Sequence, residues 1–303
     1  MKTVGRVALV LAMSAGPVAA QERNIPVVVQ VPASARAAAM GNAYLLSAPD
    51  ADAIFYNPAL LNNARGITAS LSRFGSGSHL MRAAAGFDWW DGALSFGVAT
   101  LSYGAGSTDA GAFVAGEAGL WEDGSVTASE QVAIVSYART LYGFRVGGAA
   151  KLIDQRRVGA HRVTGAADLG VVRGVGPVTL GFSARNLGSS PDFDLVDARL
   201  PTTLTVAGAT RSKTVGPLDM SFAGSSSWIR KDLTTAGGGV EISYWPINGR
   251  TFTARVGYRW IEESAITPIT FGLGFTGDVI GIDYAFQAVD DGRATHMVTL
   301  RIR

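Results

Sequence analysis

Two aspartates one residue apart, Asp50 and Asp52 in "SAPDADAIFYNPALL", are the first place in the chain where chemistry could reside. A pair of carboxylates can share a proton for acid–base work or contribute to a cation site. Neither use finds its companions. The three histidines, His79, His161 and His296, lie far apart, and no serine sits in a nucleophile-elbow sequence. No His-x-x-x-His and no Gly-rich phosphate loop follows a strand-like run. "VDDGR" at 289–293 matches a fragment of a calcium loop without its remaining ligands and reads as a hairpin tip. The absence of cysteine removes thiolate metal sites, Cys nucleophiles and disulfides. An enzyme is not expected, nor is a metal or cofactor.

The other candidates are charges embedded in otherwise apolar, alternating segments: Arg82, Arg145, Lys151, Asp168, Arg185, Glu241, Arg255, Arg259 and Asp283. Such residues pair with one another or select an ion or substrate. Which they do depends on the elements that hold them.

From residue 67 onward, segments of about ten residues alternate apolar with small or polar side chains between Gly, Asp, Pro and Asn turns, the period-two signature of strands. Fourteen such segments are predicted, beginning at 67–74 and ending at 294–302. In "TFTARVGYRW", Phe252, Ala254, Val256, Tyr258 and Trp260 share one face, while Arg255, Gly257 and Arg259 share the other. In "VIGIDYAFQ", Ile280, Ile282, Tyr284 and Phe286 oppose Gly281, Asp283 and Ala285.

Alternation alone fits a soluble sandwich as well as a membrane barrel. Three features favour the barrel. Residues 1–20, "MKTVGRVALVLAMSAGPVAA", have the basic start, short apolar core and small-residue end of an export signal. The connectors alternate between long (105–129, 187–200) and tight ("DG" at 91–92, "TLY" at 140–142, "PING" at 246–249), as in barrels with long external loops and short periplasmic turns. Aromatics such as Trp89, Trp90, Tyr103, Tyr244, Trp245 and Trp260 cluster at strand ends, where interfacial girdles sit. No run of about 20 apolar residues occurs, so helical spans are excluded. Without Lys2 and Arg6 of the signal, the chain has 24 basic and 24 acidic residues, a balance that gives nucleic acid no purchase.

The expected organisation is a signal peptide (1–20, cleaved near Ala20), an N-terminal segment (21–66) and an all-β, antiparallel transmembrane barrel of about fourteen strands (67–303) in the bacterial outer membrane, with lipid around it. With the bulky faces outward, the embedded charges face the lumen. Glu241, Arg255, Arg259 and Asp283, on adjacent late strands, are expected to pair. The inward glycines 147, 170, 181, 257, 272, 274 and 281 fit either close-packed lumen contents or strand curvature.

The N-terminal segment carries a resemblance. "SARAAAMGNAYLLSAPDADAIFYNPALL", with Gly41, Ala43 and Tyr44, then Asp50 and Asp52, then Asn57, Pro58 and Ala59, resembles the N-terminal signature of the PorV/PorQ outer-membrane proteins, relatives of the FadL long-chain fatty-acid transporters. "ARNLG" at 184–188, "LPTTLTVAGA" at 200–209, "VEISYWPINGRTFTARVGYRW" at 240–260 and "GIDYAFQAVDDGRATHMVTL" at 281–300 resemble later blocks of that family. The resemblance implies a fourteen-strand barrel whose N-terminal segment folds into the lumen as a plug. It implies a role in protein secretion at the cell surface, with a machinery or cargo protein as partner. The alternatives are FadL-like passage of a hydrophobic ligand and a purely structural outer-membrane protein. Asp50 and Asp52 are expected to cap or pair with lumen arginines, and Asn57-Pro58 to form the pivot where the plug meets the first strand.

Overall fold

The computed structural model describes residues 26–44, 46–74, 77–103, 128–157, 160–188, 200–229, 233–261, 266–289 and 294–303. The expected signal peptide (1–20) and most of the 105–129, 187–200 and 289–293 connectors fall outside them.

Fourteen long antiparallel strands close into a barrel. They are β1 (Gly66–Arg73), β2 (His79–Trp89), β3 (Gly92–Ser102), β4 (Ser129–Leu141), β5 (Phe144–Arg157), β6 (Ala160–Val175), β7 (Val178–Gly188), β8 (Thr203–Thr210), β10 (Leu218–Ile229), β11 (Leu233–Ile247), β12 (Arg250–Ile261), β13 (Ile266–Thr276), β14 (Ile280–Val289) and β15 (Ala294–Ile302). The three-residue β9 (Lys213–Val215) pairs only with the start of β10 and forms part of a turn. Each strand bonds to its sequence neighbours, and β1 pairs with β15 from Ile67↔Ile302 to Arg73↔His296, which closes the ring. Closure matters physically because a sheet edge in hydrocarbon leaves backbone N–H and C=O groups unpaired, at several kcal/mol each.

The exterior is apolar. Leu71, Met81, Phe96, Leu152, Leu169, Phe182, Phe222, Phe252, Phe271, Leu273 and Ile282 all project outward, Leu273 with 65% of its surface exposed. In water this would be an aggregation surface; as a continuous band on a closed barrel it is the lipid-facing wall of an outer-membrane protein. Tight connections occur at both ends: two residues separate β5 from β6 at one, where the sequence predicts an eight-residue loop, and two residues separate β2 from β3 and β4 from β5 at the other, the end where β1 begins and β15 finishes. There Trp90 and Tyr142 adopt left-handed φ of 48° and 49°, with Gly143 (79°) completing a two-residue turn after Tyr142. Trp89, Trp90, Tyr142, Tyr244 and Trp245 ring that end on the outside.

The lumen is filled. Residues 26–64 fold inside it as short 3-10 turns (Val27–Val29, Ala51–Phe55, Pro58–Asn63) and one five-residue helix, α1 (Ala35–Ala39). The molecule's main apolar core therefore belongs largely to the plug: Met40, Leu46, Ile54, Leu60 and Leu61 are fully buried. This segment is too short in any one element to be stable alone. The wall around it supplies the packing.

Candidate functional site: plug and lumen charges

The plug is built to approach the wall backbone. Helix α1 packs on β12–β15, and the turn Pro58–Asn63 packs on β4, β5 and β6. A methyl group on Gly257 would overlap the backbone nitrogen of Gly41, and one on Gly272 would overlap the Ala39 side chain. On the opposite wall, Gly147 faces the Pro58–Ala59 peptide and Gly170 the Asn57 amide. These inward glycines thus accommodate lumen contents. Gly41 itself has φ +67° and donates its N–H to Thr270 Oγ1 at 3.1 Å.

Asn57 and Pro58 start the last plug turn. Asn57 is extended (φ −155°, ψ 111°), as a residue before proline prefers, and its Oδ1 accepts from Ala59 N at 3.0 Å. Its Nδ2 donates to Phe182 O on β7 at 3.1 Å. One side chain therefore caps the turn and fastens it to the wall. Pro58 occupies the first helical position, where its missing N–H costs nothing. Ala59 is fully buried.

The two aspartates have different surroundings. Asp50 faces three arginines: Arg303 Nη2 at 3.1 Å, Arg301 Nη1 at 3.3 Å and Arg36 Nη1 at 3.6 Å. Asp52 meets no arginine at that range; it accepts the Tyr44 hydroxyl at 2.8 Å. Burial, and next the negative charge of Asp50, push the Asp52 carboxyl up to about 6. Burial likewise raises the Tyr44 hydroxyl well above its ordinary value, so it stays a donor. Tyr44 packs on Tyr56, ring centroids 4.7 Å apart, and burial pushes Tyr56 up to about 12.

The lumen charges fall into two groups. The first is an alternating ring. Arg36 of the plug grips Glu241 on β11 (Nη2–Oε1 2.9 Å, Nε–Oε2 3.0 Å), and Glu241 accepts Arg255 Nε on β12 at 2.7 Å. Arg255 Nη1 reaches Asp283 on β14 at 2.7 Å, and Asp283 Oδ2 forms an ion pair with Arg301 Nε on β15 at 2.8 Å. Arg301 returns to Asp50, and Asp50 to Arg36. Three arginines and three carboxylates alternate, so the ring is neutral and every charge has opposite neighbours. That is the condition under which buried ions are tolerated. The register explains it: Glu241 stands directly opposite Arg255, while Gly274 on β13 leaves room for Arg255 to cross to Asp283. Burial opposes the charge on Arg36, but Glu241 outweighs it and holds its affinity for the proton above the ordinary arginine value.

The second group is unbalanced. Lys151 on β5 pairs with Asp168 on β6 at 2.6 Å, and both engage Asn186, the positive-φ residue of a bulge in β7. Arg82 on β2 and Arg185 on β7 instead donate to plug carbonyls: Arg82 to Val28, Val31 and Pro32, Arg185 to Phe55. Arg259 stands apart from the ring that its neighbour Arg255 joins, and Arg145 is half-buried near the turn end of β5. Arg36 and Arg301 were not singled out from the sequence. Strict alternation through Met297, Thr299 and Arg301 carried the signal for Arg301; Arg36, in a segment without periodicity, had none. Among the described residues no group of three or more metal-ligating side chains occurs.

Among the described residues, small cavities lie between plug and wall. One of about 30 Å³ lies between the plug and β1, β12, β14 and β15, lined mainly by apolar groups including Val31, Pro32, Phe74, Phe286 and Met297, with Arg259 and Gln287 beside them. Another of about 40 Å³ lies beside Tyr44 and Tyr56 against Thr205, Ser225 and Ser227.

No protein-family model and no curated protein matches the chain. Solved structures do. The chain is similar to the toluene transporter TbuX of Ralstonia pickettii (TM-score 0.54, 12% identity, covering 89% of this chain and 98% of that one). It is also similar to the toluene transporter TodX of Pseudomonas putida (0.52, 12%, 89% and 96%) and to a monoaromatic hydrocarbon channel, CymD (0.51, 10%, 89% and 96%). At these identities the likeness concerns the fold. It bears out the expected barrel, and no comparison supports the PorV/PorQ resemblance. The chain is a closed, fourteen-strand outer-membrane barrel of the architecture seen in those channels.

Proposed function

We propose that this barrel passes small hydrophobic molecules across the outer membrane, with residues 26–64 as the element that must shift to let them through. The observation that carries this reading is the apolar cavity between the plug and the β1, β14 and β15 wall. Its lining is mostly apolar, with Val31, Phe74, Phe286 and Met297, which suits an apolar solute, and Arg259, Gln287 and Thr295 add a polar edge, as in ligand pockets that combine apolar walls with a few polar groups. Its present size, about 30 Å³, holds no such molecule, so passage requires plug displacement. The barrel-with-lumen fold shared with structures described as toluene transporters points the same way. Secretion-linked delivery would depend on a protein partner at the external loops, and residues 104–127 fall outside the described structure.

The test is uptake of radiolabelled toluene into proteoliposomes containing the mature chain, against empty liposomes and a barrel of unrelated architecture. Because toluene crosses bilayers unaided, vesicles are coated with lipopolysaccharide on the outer leaflet to slow that leak. Faster entry with this barrel, inhibited by other monoaromatic compounds, is the expected result. Entry no faster than in both controls would remove the conduction reading.

A further inference from the structure

The lumen holds a third cavity, of about 30 Å³, lined by the plug segment Val28–Ala33, by Phe55 and Tyr56, and by the wall from β2 through β3, β4 and β5 to β7. Three cationic side chains line it: Arg82, Lys151 and Arg185. Among the described residues, Asp168 is the only carboxylate in an ion pair with any of them, and it belongs to Lys151. Arg82 is 5% exposed, and its partners are neutral carbonyls of Val28, Val31 and Pro32. Arg82 is therefore buried without a paired carboxylate, and half-buried Arg185 shares the single nearby one, Asp168, with Lys151, unlike the neutral ring on the opposite wall.

The donors are also incompletely used. Arg82 Nε and Arg185 Nε are buried and have no hydrogen-bond partner. Lys151 Nζ donates one hydrogen bond, to Asn186 Oδ1 at 2.7 Å, and forms an ion pair with Asp168 Oδ2 at 2.6 Å. Buried donors without acceptors and buried charge without counter-charge are each costly. A single anion in the shared cavity relieves both.

We infer that this cavity binds one monatomic anion, of the size of chloride or bromide, clamped between the plug and the β2–β5–β7 wall. Its volume, about 30 Å³, suits one such ion or one to two waters. Arg82 and Arg185 hold the plug through carbonyls of both its early and its later turns. An ion that neutralises them consequently stabilises the docked plug. The inference is independent of what the barrel conducts.

The mature barrel in detergent would be unfolded thermally at fixed pH and ionic strength in sodium chloride, bromide, gluconate or sulfate. A saturable rise in the midpoint with chloride and bromide, absent with gluconate and sulfate, is expected. Crystals grown in bromide should show one anomalous peak between residues 82, 151 and 185. Arg185→Gln, which keeps the Lys151–Asp168 pair, should raise the half-saturating bromide concentration about tenfold or more; Arg82→Gln should abolish the halide increment. If Arg82→Gln does not fold, the wild-type salt comparison and Arg185→Gln decide. Equal midpoints in all four salts, or a halide increment unchanged in Arg185→Gln, would mean that water fills the cavity and would overturn the inference.

Discussion

Arg36 in the plug and Glu241 in the barrel wall meet edge to edge, with Nη2–Oε1 at 2.9 Å and Nε–Oε2 at 3.0 Å. This two-pronged contact is available to a planar guanidinium and not to an ammonium. Arg36→Lys should therefore fail to restore what Arg36→Gln removes. Either change leaves Glu241 short of a partner in a buried ring, a loss on the order of 3–5 kcal/mol. Hydrogen exchange at residues 35–41 is the readout: protection should fall in both variants while the barrel strands stay protected. Unchanged protection in Arg36→Lys would show that charge alone, without the fork, holds the plug.

Asp52 makes plug docking sensitive to pH. Its carboxyl is pushed up to about 6 in the docked plug, above the ordinary 3.8. The docked state thus binds a proton more tightly than the released one. Its contribution is complete below about pH 4 and is lost as pH rises through about 6. Current fluctuations through single barrels in planar bilayers should become more frequent between pH 5 and pH 7.5. Asp52→Asn, which keeps an acceptor for Tyr44 without the charge, should be quiet across that range. A wild-type record that does not change with pH would refute this assignment.

Asn57 caps the turn Pro58–Asn63 and ties it to Phe182 O. Asn57→Ala loses both bonds, at a cost of about 1–2 kcal/mol. Limited proteolysis of the folded barrel should then cut more readily within residues 55–65. Asn57→Asp retains the capping oxygen but not the donor to Phe182, and its susceptibility should be intermediate.

Gly272 and Leu273 separate lumen effects from lipid effects. Gly272→Val should displace α1, because any side chain there overlaps Ala39. Leu273, the next residue, faces lipid. Leu273→Arg should destabilise the barrel itself by roughly 2–4 kcal/mol if it sits near the midplane. Reversible unfolding from lipid vesicles measures the second effect, and plug hydrogen exchange the first. Equal barrel destabilisation by the two changes would contradict the inward and outward assignments.

The alternating segments were legible because a strand has a period of two and this environment is strongly two-sided. "TFTARVGYRW" shows the split without structural help, and the strands fall within a few residues of their expected bounds. Segments with weak alternation were harder to read. Glu130, at the start of β4, reaches Val28 N at 2.8 Å and gave no sign of a plug contact. The two-residue-against-one bulge at Asp168 is likewise invisible to a simple alternation count.

By itself, then, the sequence determined a closed, lipid-facing β-barrel with charged residues turned inward, because local side-chain periodicity and hydrophobicity are properties of neighbouring residues. Only the tertiary structure decided which charges meet. Arg36 and Glu241 are 205 positions apart, Asp50 and Arg301 251. Their pairing follows from strand register, from glycines that admit the plug, and from the closure of β1 on β15. The same long-range geometry left Arg82 and Arg185 without carboxylates, while Asp50 and Asp52, similar in sequence, took different roles because only one of them faces the arginines of the wall.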